Sequence, residues 1–298
     1  MEEILDAVVV GHVTIDVNSL PWGVMGNMLG GAPTYAGLTL TTLGKRVGIV
    51  AKVGSDFPER FSFVYSKLGL DTEGIITGGE ETTTFENIYD EKGNREQRCK
   101  VLPSKISPDE VPEIYKDARS FYVSPIAGEV TLELLKSLKR KHNLVMLDPQ
   151  GFFREIDGEG RIQNREPPNL EDLLKNVDIV KIGKEELETL AKAPENLLEE
   201  LRDMGPRIAI ATHGKDGCMV LSDEGLTKVK SLGVAARDPT GAGDVFGAAF
   251  LSRYLDTHNA AESAKFASAA AGLKIEYRGP IGFPTEDEVL KAMERLSP

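Results

Sequence analysis

The stretch Asp238-Pro-Thr-Gly-Ala-Gly-Asp244, running directly into the apolar segment Val245 to Leu251, decides how the rest of the chain is read. It sets small, flexible backbone positions and a carboxylate at the start of an expected helix. Gly241 and Gly243 permit a tight turn and the close approach of a ligand, and the free amides of a helix start can face an anion. Asp244 then stands where it can take a proton from a hydroxyl attacking that anion. Amides, glycines and a base are the parts that phosphoryl transfer needs, because that reaction depends on positioning and charge stabilisation. Taken by itself, the pattern also reads as an Asp-capped helix after a glycine turn.

The 298-residue chain is long enough for one large α/β domain with a smaller appendage. Its 35 basic and 47 acidic residues give a formal charge of −12. That balance favours solubility and argues against a generic nucleic-acid surface, so no nucleic-acid partner is expected. It leaves room for an anionic nucleotide held locally by amides, a few cations and magnesium. Cys99 and Cys218 have neither metal-cluster spacing nor the numbers of a disulfide framework, and are expected to be reduced thiols. The acidic start Met1-Glu-Glu-Ile-Leu-Asp6 lacks a basic leader, and no segment reads as a membrane span. The expectation is a soluble, cytoplasmic protein with no membrane partner.

Alternation of apolar strands and helical periods predicts a layered α/β domain. Strands are expected at Ala7 to Val10, Val47 to Val50, Ser120 to Val123, Leu144 to Leu147, Ile179 to Lys181 and Arg207 to Ala211. Helices are expected at Pro33 to Leu43, Phe57 to Leu68, Glu129 to Arg140 and Glu185 to Leu190. Two stretches break the rhythm: Val13 to Leu20, and a hairpin pattern of Thr83 to Tyr89 and Arg95 to Leu102 around a turn at Asp90 to Asn94. Residues 13–29 and 83–102 are therefore expected to form a small β-rich lid or edge sheet, and residues 1–12, 30–82 and 103–298 the main domain.

Two N-terminal motifs accompany the string at 238–244. Gly11-His-Val-Thr-Ile-Asp16 follows an apolar strand, and Gly30-Gly31-Ala-Pro-Thr-Tyr-Ala-Gly37 contains a double glycine. Together the three motifs resemble the signatures of the ribokinase-like (PfkB) carbohydrate kinases, and the resemblance spans Ala7 to Gly279. It implies a three-layer αβα fold with a mainly parallel sheet and a small β-sheet lid, with ATP and magnesium as cofactors. It assigns Asp244 as catalytic base and Gly241, Ala242 and Gly243 as an anion hole. Thr212-His-Gly214-Lys-Asp-Gly217 is similar to a nucleotide-site segment, placing Thr212, Gly214 and Gly217 at the nucleotide; alone it reads as a β-turn. The Ala-rich helix from Ala264 to Leu273 would bring Ala270 and Gly272 to adenine, although it reads equally as a packing face.

The segment Val180-Lys-Ile-Gly183-Lys-Glu-Glu186 resembles an Asn-x-x-Glu element in which Gly183 takes the Asn place. The resemblance implies that Glu186 orients magnesium-bound water; without it, Glu185 and Glu186 are favourable first-turn helix charges. Asp238 would belong to a monovalent-cation region, with potassium the implied ion, or would simply brace its loop. None of the Gly-Lys pairs is followed by Ser or Thr, so a Walker A site is excluded.

On the acceptor side the resemblance assigns Asp16 to two substrate hydroxyls, with Gly30 and Gly31 approaching the same molecule and Asn27, Gln150 and Arg154 as further contacts. Asp148-Pro-Gln-Gly-Phe-Phe-Arg154 is also similar to the corresponding segment of myo-inositol kinases. The expected partner is a small hydroxylated acceptor, myo-inositol in the first place, with fructose or a nucleoside as alternatives. A non-catalytic sugar-binding sensor is the competing class, against which the intact Asp244 and Gly241-Ala-Gly243 weigh. A dehydrogenase is disfavoured because no Gly-x-Gly-x-x-Gly follows the first strand. Pairing of two copies through the small sheet is the expected oligomer.

Overall fold

The computed structural model describes residues 4–20, 23–79, 81–89, 95–102 and 104–296. The expected turn at Asp90 to Asn94 lies outside the described residues. In chain order the strands are β1 (Ala7–Val10), β2 (Thr14–Leu20), β3 (Gly23–Gly30), β4 (Val47–Val53), β5 (Ile75–Thr77), β6 (Thr84–Tyr89), β7 (Arg95–Val101), β8 (Ser120–Val123), β9 (Leu144–Leu147), β10 (Arg154–Ile156), β11 (Ile162–Asn164), β12 (Ile179–Ile182), β13 (Ile208–Thr212), β14 (Cys218–Ser222) and β15 (Gly225–Val229).

A nine-stranded sheet runs in the order β15-β14-β13-β12-β9-β8-β1-β4-β5. It is parallel from β13 to β5, and β14 and β15 add to its edge as an antiparallel hairpin. The parallel strands read as unbroken apolar runs because both faces are covered by helices. Pleating sorts their side chains between two cores: Ala7 and Val9 join one, Val8 and Val10 the other. On the first side pack the helices Ala32–Thr42, Ala242–Thr257 and Ala260–Lys274; on the second pack Leu132–Leu138, Leu170–Leu174 and Pro194–Asp203. This is the three-layer αβα arrangement expected from the sequence.

A separate four-stranded sheet, in the order β3-β2-β6-β7, forms the lid. Strand β2 pairs parallel with β6, while β3 and β7 run antiparallel on the outside. β3 falls in the β-rich region expected over residues 13–29, although its Gly-Val-Met-Gly-Asn-Met-Leu-Gly sequence lacks alternation and is weakened by glycine. Pairing with β2 supplies what its local propensity does not. The pairing slips between Asp16 and Asn18, and Asn27 takes a left-handed φ of 56° opposite that irregularity.

The helix expected from Glu129 to Arg140 is shorter, Leu132–Leu138. Thr131 caps it by accepting a hydrogen bond from the Leu134 amide at 3.1 Å. Glu129 lies before that cap, fully buried, and its carboxylate accepts from the backbone amides of His12, Ile126 and Ala127.

Candidate active site

A cleft of about 680 Å³ lies where the carboxyl ends of the parallel strands meet the lid. Asp148 follows β9, Gly183 follows β12 and Thr212 ends β13, so the cleft sits at the end of the sheet where α/β folds place ligands. From the lid come Asp16 on β2, Phe85 on β6 and Gln97 on β7. The opposite wall is the turn Pro239 to Asp244.

That turn has a steric reason for its glycine. Gly241 precedes the helix Ala242–Thr257 with φ 73°, and a Cβ there would lie 2.2 Å from the Tyr35 ring. Only glycine fits both demands. The Ala242 amide donates to the Pro239 carbonyl at 3.1 Å, which leaves the amides of Gly241, Gly243 and Asp244 as the donors of this helix start. Of the expected anion hole of Gly241, Ala242 and Gly243, the Ala242 amide is therefore the one that the tight turn engages.

Asp244 faces the cleft with its carboxylate largely desolvated, and burial followed by the nearby charge of Asp148 pushes its pKa up to about 7. Lys181, Arg154 and a hydrogen bond from Ser124 Oγ at 3.4 Å oppose that rise. Ser124 in turn accepts from Gln150 Nε2 at 3.3 Å, so Gln150 reaches the base through a hydroxyl as well as lining the cleft. Arg154 also lines the cleft, its guanidinium donating to the Ile126 carbonyl at 3.0 Å.

Beside the base is an ion pair that sequence reasoning missed. Lys181 and Asp148 are both almost wholly buried, and Lys181 Nζ lies 2.5 Å from Asp148 Oδ2. Burial disfavours the ammonium, but Asp148 outweighs it and holds the Lys181 pKa above its ordinary value. The one signal in the sequence is a lysine inside the buried strand Ile-Val-Lys-Ile.

Glu186 is buried, lines the cleft and accepts from the Gly183 amide at 2.8 Å, capping its own helix. Burial and then Asp148 raise its pKa. A side chain at Gly183 would approach Glu186 Oε2 at 2.9 Å, which gives the glycine in this place a local reason. Among the described residues no group of three or more His, Cys, Asp or Glu forms a metal cage. Glu186 at the cleft wall fits a magnesium ion held chiefly by water and donor phosphates.

On the acceptor side, Asp16 Oδ1 accepts from Thr14 Oγ1 at 2.8 Å, and a Cβ on Gly30 would come within 2.4 Å of Asp16 Oδ2. Gly30 is thus the floor on which the carboxylate rests, while Gly31 lines the cleft directly. Thr212 and Gly214 also reach it.

Other expected residues are not brought to the cleft. Asn27 is exposed on β3, because the slipped register turns it away. Gly217 takes φ 91° beside the Val229 carbonyl and serves the turn into β14. Ala270 is fully buried in the core and Gly272 abuts Leu232, so this helix presents a packing face there. Asp238 accepts from the amides of Thr240 and Gly279 at 2.9 and 2.8 Å, and braces its loop. Cys99 and Cys218 are free, buried thiols whose pKa values burial pushes up to about 11.

The model of the pfkB family carbohydrate kinases matches residues 5–287 of this chain. The chain belongs to the PfkB family of carbohydrate kinases. This PfkB kinase is 31% identical over 256 residues to a cytidine kinase of Thermococcus kodakarensis, covering 84% of this chain and 88% of that protein. It is 28% identical over 308 residues to an inositol 3-kinase of Oryza sativa subsp. japonica, covering 98% and 73% respectively. A solved structure of a pyrophosphate-dependent kinase in the ribokinase family, in complex with sulfate, superposes with a TM-score of 0.83 at 25% identity, covering 96% of this chain and 99% of that one. The PfkB kinase described here is accordingly a phosphotransferase with a hydroxyl acceptor. No helix among its described residues is long and apolar enough to cross a membrane.

Proposed function

We propose that this PfkB kinase transfers the γ-phosphoryl group of ATP to a hydroxyl of a neutral polyhydroxylated acceptor of the myo-inositol class. The observation that carries the reading is Asp244, a desolvated carboxylate at the cleft wall, next to helix-start amides and across the cleft from Asp16. Asp16 would accept two hydroxyls of the acceptor and orient a third toward Asp244. Asp244 would take its proton as the oxygen attacks in line, while the Gly243 and Asp244 amides offset charge on the phosphoryl group. Thr212 and Gly214 would flank the nucleotide, and Arg154 would face the transferred group. Glu186 would hold a water of the magnesium ion, which neutralises phosphate charge when bound. Residues 13–29 and 83–102 would act as a lid whose closure excludes water, and two copies would pair through that sheet.

A separate monovalent cation is not needed in this reading. Asp238 accepts one backbone amide on each carboxylate oxygen, and the buried Lys274 ammonium lies in its field, so protein groups alone brace this loop.

Phosphorylation of a nucleoside is the second reading. It is favoured by the cytidine kinase relative and by Phe85, an aromatic ring on the inner face of the lid. The test is a panel of inositols, hexoses and nucleosides with ATP or pyrophosphate under magnesium, following both donor product and phosphorylated acceptor. Asp244→Asn is expected to lower the chemical step, measured by rapid quench, by about a hundredfold or more while nucleotide still binds. A near-wild-type step would remove Asp244 as the base.

A further inference from the structure

Three side-chain amides cross the inner face of the lid in a single chain. Gln97 Nε2 on β7 donates to Asn87 Oδ1 on β6 at 2.9 Å, and Asn87 Nδ2 donates to Asn18 Oδ1 on β2 at 3.0 Å. Asn18 Nδ2 then ends on the Met28 sulfur of β3 at 3.3 Å. The residues are direct cross-strand partners, Asn18 with Asn87 and Asn87 with Gln97, so the pairing register itself aligns them.

The chemistry of the last member sets the direction of the whole chain. A thioether has lone pairs and no proton, so it can only accept. Asn18 must therefore point its NH₂ at Met28 and its oxygen at Asn87. Asn87, buried with 5% of its surface exposed, must take that contact with its own NH₂ and show its oxygen to Gln97. Gln97 must answer with its NH₂. Gln97 spends one N–H of its NH₂ on Asn87, and the group that the chain leaves wholly unused, beside the cleft that Gln97 lines, is its carbonyl oxygen. Reversing the three amides together would set an amide oxygen against the sulfur, lone pair to lone pair, with no proton between them.

We propose that Gln97 is a specificity-determining residue which selects acceptors carrying a hydrogen-bond donor opposite its carbonyl, and that Met28, Asn18 and Asn87 are positioning residues that hold it in that sense. The inference rests on the kinase reading above and names the chemistry its acceptor must bring. Asp16, on the same sheet, is also an acceptor of hydrogen bonds, so this wall of the cleft asks its ligand for protons at separate points. A ring hydroxyl of a polyol or an exocyclic amine of a nucleobase supplies the same donor. An analogue with a carbonyl or a fluorine at that place leaves two acceptors facing each other without a proton, and a buried polar group left in that state is penalised.

The experiment compares pairs in which a donor is replaced by an acceptor: cytidine against uridine, whose ring N3 changes in the opposite sense, and myo-inositol against its monofluoro-deoxy analogues, each with ATP and magnesium. Wild type is expected to favour the donor-bearing member of at least one pair by about tenfold or more in kcat/KM. Gln97→Leu is expected to bring that ratio close to unity. Met28→Leu, which removes the terminal acceptor and leaves the three amides free to reverse, is expected to give an intermediate ratio with the thermal midpoint unchanged. A purely structural role for the amides would alter stability and leave the ratio alone. The pair that responds distinguishes a nucleobase amine from a polyol hydroxyl. An unchanged ratio in Gln97→Leu, or a wild type that discriminates within neither pair, overturns the inference while leaving the kinase reading intact. A wild type that phosphorylates nothing in the wider panel overturns both.

Discussion

Lys181 Nζ and Asp148 Oδ2 meet at 2.5 Å, both side chains almost wholly buried, and a Cβ on Gly243 of the catalytic turn would lie 3.5 Å from the ammonium. The pair couples the sheet to the turn that carries the base. Lys181→Met should leave the Asp148 carboxylate buried without its counterion and lower unfolding free energy in urea by about 3–5 kcal/mol. Asp148→Asn combined with Lys181→Met removes both charges and should recover most of the loss. If the double variant is no more stable than Lys181→Met alone, the pair is not what holds this region.

The raised pKa of Asp244, about 7, makes both rate and stability depend on pH in defined directions. As a base it must be ionised, so kcat/KM of the free enzyme should climb as pH rises through about 7 and then level off. Stability moves the other way. The folded pKa lies above the unfolded one, so this carboxyl contributes stability that is fully present below its unfolded pKa and is lost as pH rises through the folded value. Asp244→Asn should therefore gain stability over wild type above pH 7 and match it in acid, as read by thermal midpoints across pH. Asp148→Asn, by taking away a like charge, should move the midpoint of the rate profile downward.

Gly30 leaves no room for a methyl group without displacing Asp16, since that carbon would sit 2.4 Å from Oδ2. Gly30→Ala should raise KM for the acceptor by roughly tenfold or more while KM for the nucleotide changes little, because only the acceptor-side carboxylate is moved. Initial rates with each substrate varied in turn decide it. A parallel rise in both constants would indicate a general loosening of the fold.

Lys274 is fully buried, donates to the Tyr277 carbonyl at 3.3 Å, and lies 5.6 Å from the ring centres of Tyr35 and Phe283. Burial lowers its pKa and Asp238 opposes the fall. Tyr35 is the ring that abuts Gly241, so Lys274 packs behind the catalytic turn. Exchanging potassium for tetramethylammonium should leave wild-type activity unchanged, whereas Lys274→Met should lose activity and regain part of it in potassium or ammonium salts. A wild-type enzyme that stops without potassium would refute this assignment.

The reading of Asp238 to Asp244, the two N-terminal glycine motifs and the strand-helix alternation needed no coordinates, because each rests on local demands. A left-handed turn selects glycine, a helix start leaves amides free, and a doubly covered parallel strand is apolar throughout. Asp16, Gly31, Arg154, Thr212 and Glu186 accordingly line the cleft, as their motifs implied. What tertiary structure alone decided depends on which distant residues share a face. Asp148 and Lys181 meet because β9 pairs with β12, and Gln97 is aimed because β7, β6 and β2 align their amides onto a sulfur on β3. Ala270 and Asn27 carry the composition of contact residues, yet helix packing buries one and a slipped register turns the other to solvent. Side chains in a strand alternate with a period of two, so pairing partner and register decide what a residue touches, and neither is written in the neighbouring sequence.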